Sequence, residues 1–276
     1  MTISLVWQRK FAGIDEILFA SDSRLSAGYR WDCAQKIFPI DGPNFCISFA
    51  GSTDFAFPCI FHFQRMVRNY PRFSNGAAPI SVFAKDFVAI VNQLRTLVDD
   101  KLLAQFHMTE FLLAGYDFVT GEFYGRSIRY DTKSDRYQAF HLGGIRSGGV
   151  EATVGFAGDK KAEYFKGLGI ILDKQRTELN YQPLEALSEI LGKQDQSSPI
   201  GGSPQVVKVY RHRNYLPYAV RKNSSDPISL FGRPLLDYEQ TLYPIMEIDK
   251  FGGEGFIHYP TGENSRRLTP PKGTQI

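Results

Sequence analysis

Between residues 44 and 116 the sequence changes from strand to helix and back, with two helices in succession rather than one. NFCISFA (44–50) has five apolar residues in seven, the pattern of a strand inside a sheet. Gly51-Ser-Thr-Asp54 then opens a helix, with Ser52 or Thr53 as cap and Asp54 at the positive end of the dipole. Pro58 is compatible with a first turn only, so this reading starts the regular helix late. Ile60, Phe63, Val67 and Tyr70 form its apolar stripe. After a loop over 71–79, Phe83, Phe87, Ile90, Val91, Leu94 and Val98 give a second helical period, and EFLLAGY (110–116) returns to strand.

The same order recurs around this block. Ile3, Leu5 and Trp7 alternate with Ser4, Val6 and Gln8, and EILFAS (16–21) returns after a hairpin loop over 11–15. QKIFPI (35–40) is the next strand. Thr120-Gly121 turns EFLLAGY into EFYGRSIRY (122–130), and strands over 137–142 and 151–156 follow. Asp159 is read as the cap of a third helix, and Pro183 starts a fourth that runs to about residue 193. PQVVKVY (204–210) and the strand over 215–220 make a closing hairpin. Helix pairs between groups of strands do not fit an alternating parallel wind. They predict an α+β chain with two stacked antiparallel sheets and a helix pair on each outer face. One domain spans 1–221. Residues 222–276 form a C-terminal extension, partly irregular, interrupted by LFGRPLLDY and LYPIMEI and ending in NSRRLTPPKGTQI.

Composition narrows the function classes. With 276 residues the chain can bury a core without disulfides or metal. A net charge of +3 from 32 basic and 29 acidic residues argues against a dedicated nucleic-acid binder. Cys33, Cys46 and Cys59 lack metal or disulfide spacing and read as core thiols of a reducing compartment. The five histidines offer no ligand spacing for a metal. Gln8, Arg9 and Lys10 interrupt any signal peptide, and no apolar run reaches membrane length. The expectation is a cytoplasmic protein.

The front of the chain carries the chemistry. Thr2 is small enough for Met1 to be removed by methionine aminopeptidases, which would leave an α-amine beside a hydroxyl. Such an amine, with an unperturbed pKa of about 7.7 to 8.0, suits a general base for its own side chain. Asp22 ends the strand that pairs with the first one, and Lys36 opens the next; both are placed to tune that amine and hydroxyl. Gly51, at a strand-to-helix junction, offers a backbone N–H for an oxyanion. Taken singly, each of these residues is ordinary: Asp-Ser-Arg is common turn chemistry, and a strand lysine is usually a solvated charge. Their joint order within 51 residues carries the argument.

Thr2 before a strand, ASDSRLSAG (20–28), QKIFPI with Lys36, SFAGSTDFA (48–56) and PIGGSPQVVKVY (199–210) together resemble the proteasome β-subunit superfamily of amino-terminal-nucleophile (Ntn) hydrolases, including HslV and the bacterial Anbu proteins. The resemblance covers about residues 2–220. It implies a four-layer αββα sandwich, with Thr2 as nucleophile, Asp22, Lys36 and Gly51 as its catalytic partners and Arg24 in support. It also implies that Leu25, Ser26, Phe49 and Thr53 line a substrate cleft, where Ser26 and Gly51 would hold a peptide as an added strand. Copies of the chain itself are the implied partners, in a ring or spiral, with a peptide as substrate and an unfoldase as an optional further partner. The resemblance implies no metal or cofactor, in agreement with the histidine spacing. Two stretches depart from the family pattern. Gly155-Phe-Ala-Gly-Asp159 lacks the usual hydroxyl, and Gln196-Ser-Ser-Pro-Ile-Gly-Gly202 has Ile200 where a serine is expected, with Ser197, Ser198 or Ser203 as substitutes. A threonine peptidase is therefore the first reading. The alternatives are a catalytically inactive ring subunit or scaffold, and a small-molecule amidase.

Overall fold

Strand β1 (Ile3–Phe11) has neighbours on both sides in a ten-stranded sheet of the computed structural model. The structure describes residues 2–11, 13–26, 29–42, 45–71, 78–98, 106–175, 178–211 and 214–260. Met1, the last two residues of ASDSRLSAG, most of the 71–79 loop and the NSRRLTPPKGTQI tail lie outside these ranges. In chain order β2 (Ile14–Ser21), β3 (Arg24–Leu25), β4 (Trp31–Asp32), β5 (Ile37–Ile40) and β6 (Phe45–Ala50) precede helices α1 (Thr53–Asn69) and α2 (Ile80–Arg95). Next come β7 (Glu110–Tyr116), β8 (Phe123–Asp131), β9 (Arg136–His141), β10 (Gly144–Ser147) and β11 (Val150–Gly158), followed by α3 (Lys161–Gln175) and α4 (Gln182–Gly192). The chain closes with β12 (Gln205–Tyr210), β13 (Asn214–Arg221), β14 (Ser229–Leu230), β15 (Arg233–Pro234), β16 (Ile245–Glu247) and β17 (Ile257–His258).

The larger sheet runs β10-β11-β1-β2-β12-β13-β14-β15, with β16 and β17 attached through β13, and the second sheet runs β5-β6-β7-β8-β9. Period-2 alternation explains how they stack. Ile3, Leu5 and Trp7 of β1 face α3 and α4, whereas Val6 faces the other sheet. On β6, Phe45, Ile47 and Phe49 pack under α1 and α2, whereas Cys46 and Ala50 meet the inter-sheet core. Three apolar layers therefore separate four layers of secondary structure, the αββα sandwich anticipated from element order. Between the sheets, the Ser4 and Ser48 hydroxyls satisfy one another at 2.7 Å, which removes the penalty of burying either alone.

At the first helix the local expectations change. Helix α1 starts at Thr53 and runs through Pro58. Pro58 is exposed, and the missing hydrogen bond is tolerated because Phe55, Ala56, Cys59, Ile60 and Phe63 anchor the opposite face. Each such large apolar side chain contributes about 1.5–3 kcal/mol on burial. Ser52 occupies the cap position without a side-chain cap bond; its N–H instead donates to Thr109 Oγ1 at 3.1 Å. Beyond Arg221 the chain continues the larger sheet: β14 pairs antiparallel and β16 parallel with β13.

Candidate active site

The ladder between β1 and β2 places Ser4 opposite Ser21, so Asp22, just after β2, falls opposite Ile3 and next to Thr2 at the same end of the sheet. The Asp22 N–H donates to the Ile3 carbonyl at 3.2 Å, and the Ile3 N–H returns a bond to Asp22 Oδ1, also at 3.2 Å. Asp22 Oδ2 accepts from the Arg24 and Gly201 N–H groups at 3.2 and 3.3 Å. Three backbone donors thus hold the carboxylate in one orientation, with no exposure to solvent.

Lys36, immediately before β5, is also fully buried. Its Nζ donates to Thr2 Oγ1 at 2.9 Å, to Asp22 Oδ1 at 2.9 Å and to the Arg24 carbonyl at 2.7 Å. Three acceptors match the three protons of an ammonium. Burial nevertheless pushes the Lys36 pKa below the usual lysine range, against the opposing pull of Asp22.

Arg24 braces this arrangement from behind. Its guanidinium forks onto Asp32, with Nε to Oδ1 at 2.6 Å and Nη2 to Oδ2 at 2.8 Å, which holds the Asp32 carboxyl below its ordinary pKa. Nη1 gathers the Asp195, Ser198 and Ile200 carbonyls at 3.1, 2.9 and 3.5 Å. Gly201 lies against this guanidinium: a Cβ there would sit 2.5 Å from Arg24 Cζ.

Gly51 adopts φ +116°, and a Cβ on it would fall 2.6 Å from Thr109 Cα, so this junction requires glycine. Thr2 is 3% exposed, whereas Leu25, Ser26, Gly51 and Thr53 are partly open. Phe49 differs from its expected role. It is completely buried in the core beneath α1, with its ring against Phe38 and Phe57, and it presents no surface to a cleft. Two of the three suggested substitute hydroxyls have other partners. Ser197 Oγ donates to Asp195, and Ser198 Oγ to Gln194. Ile200 is buried in the core beside α4.

Two residues at the site were not anticipated in these positions. Asp159, expected to cap α3, accepts the Thr2 N–H on Oδ2 at 3.0 Å, while its own N–H donates to the Thr2 carbonyl at 2.9 Å. Gln205 is buried at the start of β12. It accepts the Lys36 N–H at 3.0 Å and donates to the Asp22 and Ala34 carbonyls at 3.0 and 2.7 Å. A strand-end glutamine carries no sequence signal for this task, whereas the absence of a hydroxyl before α3 marked the Asp159 position without revealing its partner. Among the described residues there is no group of three or more His, Cys, Asp or Glu side chains able to hold a metal ion, and no helix is long and apolar enough to cross a membrane.

Two packed, mainly antiparallel sheets between helix pairs give the chain a proteasome-like fold, the fold of the Anbu structure to which it is similar. Among solved structures the chain is similar to the Anbu (Gly-1) mutant from Hyphomicrobium sp. strain MC1, with a TM-score of 0.51 and 14% identity over 78% of this chain and 85% of that one. No protein-family model matches the sequence, and no curated protein matches it.

Proposed function

We propose that the chain is a threonine peptidase whose nucleophile is Thr2, exposed as the amino terminus once Met1 is removed. The observation that carries this reading is the contact of one buried ammonium with both the Thr2 hydroxyl and the Asp22 carboxylate, each at 2.9 Å. Cleaving the Met1–Thr2 bond also uncovers one side of the Thr2 nitrogen. Lys36 donates to Oγ1, so the hydroxyl's own proton is available to the freed amine through a water. Oγ1 then attacks the substrate carbonyl carbon, and the negative oxygen turns to the Gly51 N–H. The C–N bond breaks as the leaving amine takes the proton held by the α-amine. Water attacks the resulting ester and gives a proton to the same amine; the acyl C–Oγ1 bond then breaks, Oγ1 takes that proton, and the acid product leaves with the Thr2 hydroxyl restored.

Ser26 and Gly51 would align a peptide as an extended strand, with Leu25 and Thr53 beside it. Self-association belongs to the same reading. Phe61 of α1 and Ile170 of α3, 53% and 60% exposed, place apolar surface on the two outer helix layers. Thr2→Ala tests the assignment. The variant is expected to melt with the parent and to lose at least about 10³-fold of peptide hydrolysis. Intact mass provides the companion test, since retention of Met1 on active protein would exclude Thr2 as the nucleophile.

A further inference from the structure

Asp159 ends the stretch Gly155–Asp159, in which the family resemblance implied a hydroxyl, and its position is enforced by backbone geometry. Gly158, at the end of β11, pairs with Ile3 and has φ +104°. A Cβ on Gly158 would lie 1.9 Å from the Thr2 carbonyl oxygen, so no other residue allows this approach. The next residue then forms two reciprocal bonds with Thr2: Thr2 N–H to Asp159 Oδ2 at 3.0 Å, and Asp159 N–H to the Thr2 carbonyl at 2.9 Å. The nitrogen bonded to Asp159 is the atom that becomes the α-amine once Met1 is removed.

We propose that Asp159 is a positioning residue that binds the Thr2 α-amine as an ion pair and thereby sets the pH at which that amine becomes a base. This inference rests on Thr2 being the amino terminus and goes beyond the nucleophile assignment. The charges around the nitrogen come from several elements. Asp159 follows β11, Asp22 follows β2, Lys36 precedes β5, and Glu110 begins β7, with Oε2 3.3 Å from the Gly158 nitrogen. Lys160 turns away to Gln194 and Glu163, and the Arg24 guanidinium to Asp32. Lys36 favours the neutral amine, whereas Asp159, in direct contact, favours the ammonium. A hydroxyl in its place would accept the same hydrogen bond without adding charge. The carboxylate therefore keeps the base protonated to a higher pH.

The test compares parent, Asp159→Asn and Asp159→Ser proteins, each released from a ubiquitin fusion so that it begins at Thr2. The Thr2 Cα and Cβ ¹³C shifts are followed against pH in threonine-labelled protein. Both variants are expected to lower the titration midpoint by about one pH unit or more. The acid limb of any kcat/KM profile should move down with it, while the alkaline limb stays in place. Unchanged midpoints in folded variants would overturn the proposal whether or not the protein hydrolyses peptides. Shifted midpoints without hydrolysis in the parent would uphold the ion pair and count against the peptidase reading alone. If Asp159→Asn fails to fold, Asp159→Ser and the parent decide the matter through the same midpoints.

Discussion

Replacing Lys36 by Met would leave the Asp22 carboxylate buried without its cation, a change that costs about 3 kcal/mol or more in comparable sites. Urea denaturation should record that loss, and hydrolysis should fall with it. The depressed Lys36 pKa has its own signature. A lysine is charged below its pKa and neutral above it, so the ammonium at Thr2 Oγ1 is lost at a lower pH than an ordinary lysine would allow. Activity should therefore decline on the alkaline side earlier than the reference lysine value of about 10.4; a kcat profile carried past that value checks this. Gln205→Ala would strand the Lys36 N–H and the Asp22 and Ala34 carbonyls, and is expected to destabilise the fold by about 2 kcal/mol or more, read by chemical denaturation. At this scale, legibility followed chemical necessity. Thr2, Asp22 and Lys36 stood out because an amino-terminal alcohol needs a carboxylate and a cation, and the structure brings the three together. Gln205 was invisible because an amide that satisfies backbone groups can stand at many places in a sheet. Phe49 was assigned by resemblance to a cleft, yet the strict alternation of β6 turns it toward the helices with Phe45 and Ile47.

Among the elements, the long strands and helices announced themselves through their periods, and β7 runs over the same residues as EFLLAGY. Short strands did not. β14, β15, β16 and β17 are two or three residues long, too few for alternation to register, and lie among Pro and Gly. Their placement nevertheless bears on the site. The turn between β14 and β15 holds Phe231 and Gly232 at φ +49° and +82°, with Phe231 packed on the inter-sheet core. A Cβ on Gly232 would lie 2.3 Å from Ser23 Cβ, in the segment between Asp22 and Arg24. Gly232→Ala is thus expected to displace the segment carrying the Lys36 acceptors. Hydrolysis should fall at least about 10-fold while the global fold persists, because a displacement of about 1 Å at such a site is costly. Activity assays alongside circular dichroism separate the two effects.

For the molecule as a whole, the three apolar layers determine which groups meet solvent. Burial raises the Cys46 thiol far above its usual pKa and pushes Cys59 up to about 12, while Cys33 is only half-buried. Alkylation of native protein should therefore modify Cys33 first and leave Cys46 and Cys59 unmodified until denaturant is added, as peptide mass mapping would show. Early labelling of Cys46 would contradict the packing between the sheets. The layered architecture could be deduced from the order of elements alone, because paired helices between strand groups leave few ways to cover two sheets. Sheet order could not: the β1–β2 hairpin is legible, but the pairing of β1 with β11 and of β2 with β12 joins residues far apart in sequence.

The pairing of β1 with both β11 and β2 has a kinetic consequence. Thr2 sits at the end of an interior strand rather than on a loop, and Asp22, Asp159 and Lys36 hold its surroundings. Local fluctuations that usually silence an enzyme before it melts have little to act on here. Heating should abolish turnover and collapse the sheet in a single event, and the amides of Ile3 to Trp7 should exchange with deuterium as slowly as any in the chain.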